Sequence, residues 1–459
     1  MLPACVVSVL YGEQAAIAIA LSAALCAILG LLLKPRHLKD YTFFTKEGFV
    51  SVALSWILIS IMGSLPFLFS GSITNPIDAL FEAVSGFTTT GASILTDVEA
   101  LPKGILFWRS FTHWIGGMGV LVFLLVLLPM SGGSHMNLMK AESPGPSVSR
   151  LAPKVQTTAR ILYKIYIWMT IVQIILLLLG KMPLFDALTL SFGTAGTGGF
   201  GILNDSIASY TTYQQVVITI FMILFGINFN AFYLILLKQI KEALAMEEVK
   251  AYLMVIGASI LIITANITAL YDNVLTAFQQ AAFQVASIIT TTGYSSTDFN
   301  QWPEISRTVL VMLMFIGACA GSTGGGMKVS RFLIWFKTIG REIRLYLHPK
   351  SVNQIKMDGK TIPPEVIRST NVYLALYLII FAVSVLLIAV DNFDCTTNFT
   401  AVAATLNNIG PGLNLVGPAS NFSCYSNFST FVLTFDMLAG RLELFPILLL
   451  FTKDTWRKF

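Results

Sequence analysis

Four stretches of this 459-residue chain place hydroxyl or amide side chains just ahead of a glycine, with Ile409 intervening in the fourth. Thr-Thr-Thr-Gly occurs at 88–91 and again at 290–293, Thr-Ala-Gly-Thr-Gly-Gly at 194–199, and Thr-Leu-Asn-Asn-Ile-Gly at 405–410. No Ser/His dyad, HExxH motif or paired membrane aspartates accompany them, as an enzyme would need. What they offer is oxygen, and glycine lets the backbone turn its carbonyls into a narrow space without interference from a Cβ. Rings of carbonyls replace the water shell of a monovalent cation. The candidate ion ligands are Thr89, Thr90 and Gly91; Gly198 and Gly199; Thr291, Thr292 and Gly293; and Asn408, Ile409 and Gly410. One such run is ordinarily a polar helix C-cap. Four at equivalent points of one chain call for a common purpose.

The runs sit in longer repeats at 78–93, 186–201, 280–295 and 397–412. The aligned glycines Gly91, Gly199, Gly293 and Gly410 are 108, 94 and 117 residues apart. Gly198 competes with Gly199, but Gly199 keeps the 13-residue distance from Asp186 that Gly91 has from Asp78. Helix-start signals precede the runs: Asn75-Pro76, Pro183, and Thr396 with Thr397. A helix of about ten residues is half a membrane thick. It must be re-entrant, and the irregular backbone after it must line protein or water. Four helix C-termini would then direct partial negative charge inward.

The elements that position these runs are apolar. The chain is 55% hydrophobic and 12% charged, half the charge of an average soluble protein. Long apolar segments fall near 14–33, 48–70, 105–129, 161–180, 213–237, 251–270, 306–336, 370–390 and 428–451. The linkers 34–47, 131–160, 238–250, 337–368 and 453–459 hold 21 of the 29 Lys and Arg residues, which makes them cytoplasmic. The intervening linkers carry eleven acids and only Lys103 and Lys181. The expected architecture is an all-α polytopic membrane protein, with four helix–pore-loop–helix repeats in pseudo-fourfold order around one pore. The units are a leader at 1–47, then repeats at 48–160, 161–250, 251–368 and 369–459. The leader is short, since residues 2–11 cannot span the hydrocarbon core. No basic tract with interleaved aromatics points to nucleic acid.

The 306–336 segment is too long for one straight helix and is cut by Gly321, Ser322, Thr323, Gly324, Gly325, Gly326, Met327 and Lys328. A nucleotide P-loop fails on spacing, because Met327 separates Gly326 from Lys328. Two readings stand: a cytoplasmic loop between shorter helices, or a flexible intramembrane loop that blocks or opens a pore. Arg441 lies mid-way along the last apolar segment, either paired with Asp436 or Glu443 or facing the pore. Arg109 and His113 read as interfacial or helix-packing residues, and Asn228 and Asn230 as interhelical glue around a helix break. Cys395 and Cys424 flank the fourth run and are candidates for a disulfide.

At the four runs, and at Trp-Ile-Gly-Gly-Met-Gly (114–119), Met-Lys-Ala-Glu-Ser-Pro-Gly-Pro (139–146), the 319–328 loop and Gly-Arg-Leu-Glu-Leu-Phe-Pro (440–446), the chain resembles the TrkH-type K+ uptake proteins of the Trk/Ktr/HKT superfamily. The resemblance covers nearly the whole chain. It implies a multi-pass protein of the plasma (inner) membrane that conducts K+ inward, binds no organic cofactor and is not an enzyme. It also implies a homodimer docked on a TrkA-like cytosolic nucleotide-binding regulatory subunit. The 321–328 loop and Arg441 would gate the pore. Relatives with serine at the first filter position tend to admit Na+, so Gly91 favours K+, with Rb+ also passing. The rival from another class is a symporter coupled to Na+ or H+, working through broken helices.

Overall fold

The computed structural model describes residues 1–33, 45–119, 155–351 and 353–457. The distal part of the 105–129 segment, most of the basic linkers 34–47 and 131–160, and the 139–146 motif lie outside the described residues.

Two leader helices, Leu2–Leu10 and Ala15–Leu32, open the chain. The first has nine residues, too few to cross a bilayer. Its turn is fastened by Glu13, whose carboxylate accepts from the backbone N–H groups of Lys103 and Gly104 at 2.5 and 3.0 Å. These are orphan donors at the start of the helix Lys103–Gly117, so the leader caps the first repeat.

Each repeat is a long helix, a half-length helix and a returning helix. The long helices are Thr45–Phe69, Val155–Leu179, Glu247–Ile267 and Pro364–Ile388. Apolar side chains such as Leu58, Trp168, Leu261 and Leu386 are exposed on them, as lipid-facing positions must be. The half-helices are Pro76–Phe87, Leu184–Gly196, Val274–Ile289 and Cys395–Leu406. Asn75 caps the first by accepting from Ile77 N–H at 3.0 Å. The third starts earlier than its repeat suggests, because Asn273 caps it through Thr276 N–H at 2.7 Å. The fourth is capped by Asp394, which accepts from Thr397 N–H at 3.0 Å, rather than by Thr396 or Thr397. The carboxylate also suits the helix dipole better than a hydroxyl.

The returning helices Lys103–Gly117, Thr212–Phe225, Glu304–Ile316 and Asn427–Arg441 are shorter than the apolar segments they come from. The 213–237 segment bends by 92° before a second helix, Phe229–Leu236. Asn228 drives the break, accepting from Asn230 N–H at 3.0 Å as the cap of the new helix. The 306–336 segment is interrupted by the glycine-rich loop and resumes as Val329–Leu347. The 428–451 segment is likewise two helices, because Glu443 and Leu444 take φ of 54° and 68° before Phe445–Leu449. Broken helices at membrane depth are tolerated where the freed backbone groups face protein or water.

Each returning helix packs on the half-helix of the following repeat, and Asn427–Arg441 packs on Pro76–Phe87. The four units therefore close into a ring around one axis.

Candidate functional site

Beyond each half-helix the backbone makes the same excursion. Thr89, Thr197, Thr291 and Asn408 adopt left-handed φ of 56°, 54°, 58° and 55°. Two residues later Gly91, Gly199, Gly293 and Gly410 have φ of 79°, 77°, 85° and 102°. Non-glycine residues rarely accept this conformation, so four copies in one register are a built feature. The pattern places Gly199, not Gly198, in line with the other three glycines.

The four segments touch in a closed circle. A Cβ on Gly91 would overlap the carbonyl oxygen of Gly198; on Gly199, that of Thr292; on Gly293, that of Ile409. On Gly410 it would meet the Thr90 carbonyl at 2.9 Å, completing the ring. Thus Thr90, Gly198, Thr292 and Ile409 each bring a carbonyl against the glycine of the preceding repeat, the fourth repeat preceding the first. Any side chain there would displace an oxygen of the ring. Beyond it lies a cavity of about 90 Å³ lined by the four glycines and by Ser93, Ser206, Ser295 and Ser420.

Hydroxyls and amides hold this backbone in place. Thr88 and Thr90 share a hydrogen bond at 2.8 Å, and Thr290 and Thr292 one at 2.7 Å. Thr88, Thr194, Thr290 and Thr405 each donate to a half-helix carbonyl one turn back. Asn408 joins repeats four and one, donating through Nδ2 to Thr90 Oγ1 and to Met437 O, both at 2.9 Å.

Arg109 and His113 are not interfacial. Both are buried behind the first two segments. His113 Nδ1 lies 2.7 Å from Gly86 O, and its Nε2 accepts from Phe200 N–H at 3.2 Å. Arg109 forms a fully buried ion pair with Glu82 at 2.7 Å and stacks 4.1 Å from the Phe200 ring centroid. It also donates to Gly201 O at 3.1 Å, while Glu82 accepts from Ile94 N–H at 3.0 Å. This pair locks the chain leaving the first segment to the chain leaving the second.

On the other side of the ring lies the glycine-rich loop. Gly325 N–H donates to Thr291 Oγ1 at 2.6 Å and Gly326 N–H to Asn407 O at 3.0 Å, so the loop hangs from the third and fourth segments. Lys328 Nζ is buried and donates to Gly324 O. Glu248 holds both ends of the loop, accepting from Ala320 N–H at 2.6 Å and Ser330 N–H at 3.2 Å. Arg441 donates to Thr323 O at 3.2 Å, Thr89 Oγ1 at 3.3 Å and Gly117 O at 2.9 Å, and also to Gly116 O. One guanidinium thereby joins the loop, the first segment and the end of the first returning helix. Glu443 pairs with Arg331 at 2.6 Å, and Asp436 accepts from Ser384 at 2.7 Å.

The expected disulfide is absent: Cys395 and Cys424 are exposed free thiols. The flanks of the fourth segment are held instead by hydrogen bonds, with Ser426 N–H donating to Asp391 and Asn414 Nδ2 to Asp394, both at 2.9 Å.

Comparison with known proteins agrees with this geometry. The profile of the family TrkH, cation transport protein, matches residues 14–269 and 252–458. The Trk system potassium uptake protein TrkH of Salmonella typhimurium is 36% identical over 438 residues, covering 94% of this chain and 90% of the relative. That of Halomonas elongata is 33% identical over 467 residues, covering 100% and 96%. The crystal structure of the potassium transporter TrkH from Vibrio parahaemolyticus superposes with a TM-score of 0.86 at 32% identity, covering 99% of this chain and 96% of that one.

Proposed function

Because the chain belongs to the TrkH family of cation transport proteins, we propose that it takes up K+ across the cell membrane through the ring formed at Gly91, Gly199, Gly293 and Gly410. The observation that carries this reading is the closed circle of left-handed residues and carbonyls. Backbone oxygens held at fixed positions bind a cation whose hydration they replace, and the four half-helix C-termini add partial negative charge. The two Thr-Thr-Thr-Gly copies are not matched by the second and fourth segments, so selectivity is weaker than in a symmetric K+ channel, and Rb+ passes.

The test is growth of a bacterium lacking K+ uptake at limiting K+, with Rb+ and Na+ uptake measured in the same cells. Wild type restores growth and takes up Rb+ well above Na+. Gly91→Ser weakens rescue and raises the share of Na+. A wild-type protein present in the membrane that drives Na+-dependent solute uptake and gives no rescue would overturn the reading in favour of symport.

Gating follows from the opposite face. The 321–328 loop, which hangs from Thr291 and Asn407, and the Arg441 guanidinium, which reaches Thr323 O and Thr89, would gate the path inward. A fixed positive charge repels the permeating ion, and at low dielectric that repulsion is strong. Arg441→Ala removes both the charge and the tether to Thr323, so Rb+ uptake is expected to rise about tenfold, a change of about 1.4 kcal/mol. Unchanged or lower uptake at equal expression would sink this role for Arg441. The relatives are named as parts of a Trk system. A cytosolic, TrkA-like nucleotide-binding subunit would reach the gate through the basic segment 337–368, and the chain would work as a homodimer.

A further inference from the structure

An open groove of about 460 Å³ runs along the start of the long helix Pro364–Ile388, bounded on one side by Arg341 of Val329–Leu347, the helix that leaves the gating loop. Arg341, Arg368 and Asn371 line its head, and Ile367, Val372 and Ala375 its walls. Along Pro364–Ile388 the polar Arg368 and Asn371 are followed, toward the span, by Val372 and Ala375. From Arg368 to Ala375 is seven residues, about 10 Å at the rise of an α-helix, leading from the basic linker into a membrane span.

We propose that this groove binds one anionic phospholipid, with its phosphate on the two arginines and an acyl chain along Val372 and Ala375. Charge supports the headgroup. Segment 337–368 carries seven basic residues and three acids, and basic pockets between membrane helices on the cytoplasmic side suit anionic lipid heads. Arg368 is exposed and forms no hydrogen bond or ion pair among the described residues. Arg341 gives Nε and Nη2 to Glu342 at 3.2 and 2.7 Å, which leaves its Nη1 donors for a phosphate. The wall supports the acyl chain, since Val372 is half exposed on a span whose surroundings are hydrocarbon. A soluble protein partner would match the arginines but not an apolar strip running into the bilayer. The groove is bounded by Arg341 of the helix that follows the gating loop, so an occupied groove steadies the helix into which that loop runs.

The test is native mass spectrometry of the full-length delipidated protein, titrated with phosphatidylglycerol, with phosphatidylcholine of the same chains, and with inorganic phosphate. Wild type is expected to retain one phosphatidylglycerol more than the Arg341→Ala/Arg368→Ala variant, with affinity at that site falling on the order of tenfold or more. Phosphatidylcholine binding stays the same in both. Val372→Trp fills the wall, leaves both arginines and is expected to lose the same lipid, whereas Arg341→Lys/Arg368→Lys retains it. The proposal is overturned if the double alanine variant keeps its phosphatidylglycerol. It is equally overturned if inorganic phosphate displaces the lipid at millimolar concentration, which marks a free-anion site. Conversion of the alanine variant from one oligomeric state to another, with lipid count unchanged, would assign the face to protein contact instead.

Discussion

Gly199→Ala and Gly293→Ala are expected to reduce Rb+ uptake on the order of 100-fold at wild-type expression, and Gly410→Ala distinctly less. The new Cβ of the first two overlaps the carbonyl oxygen of Thr292 and of Ile409, whereas at Gly410 the Thr90 oxygen stands 2.9 Å away. A left-handed φ adds about 1–2 kcal/mol for any side chain at all four positions, so φ alone would make the substitutions equal. The steric term separates them, because it moves an ion-ligating oxygen. Losing one ligand of a charged group costs about 1–3 kcal/mol, and with the strain this reaches the stated effect. Equal loss at all four glycines would mean that backbone strain alone matters. Wild-type uptake by Gly199→Ala would remove the ring from the conduction path.

The second large effect concerns stability. Arg109→Ala leaves the Glu82 carboxylate without its counter-charge at 0% exposure, and breaking a buried pair from one side costs about 3–5 kcal/mol. The chain leaving the second segment would lose its tie at Gly201 O, while Ile94 N–H stays on a Glu82 carboxylate that has lost its partner. A double variant, Glu82→Gln/Arg109→Met, is expected to recover most of the loss, because no charge is then buried and the amide oxygen still accepts from Ile94. The third repeat has a neutral amide at this register: Gln284 donates through Nε2 to Ser296 Oγ and Thr297 O, both at 3.4 Å. Thermal unfolding of detergent-solubilised protein, followed by size-exclusion profile, distinguishes the cases. An Arg109→Ala protein as stable as wild type would show that the pair contributes nothing to holding the ring.

The four segments are legible in the sequence because each is a local pattern of a short apolar run followed by hydroxyls or amides and a glycine, with a helix-start signal ahead of three of them. Register alone favours Gly199 over Gly198, and Thr197 and Gly199 are the residues of that segment with left-handed φ. The interruption of 306–336 was also legible, since no helix carries Gly324, Gly325 and Gly326 in a row without cost. What lay beyond reading was long-range pairing. Glu82 and Arg109 are 27 positions apart on different helices, and nothing in their spacing links them. Glu248 was counted among cytoplasmic linker residues, yet the span begins at Glu247 and the side chain turns in to hold both ends of the loop. Asp394 outcompetes Thr396 as a cap only once the half-helix is known to begin at Cys395. The break at Glu443 and Leu444 carries no glycine or proline at the positive φ positions, so an apolar run read as one helix.

Uptake through the ring requires a cation on the axis among the carbonyls of Thr90, Gly198, Thr292 and Ile409. Crystals grown with Rb+ in place of K+ test it directly through anomalous scattering. A peak is expected at the centre of that ring, lost in Gly199→Ala and not displaced by equimolar Na+. Rb+ peaks found only elsewhere, with the ring formed and empty, would contradict it.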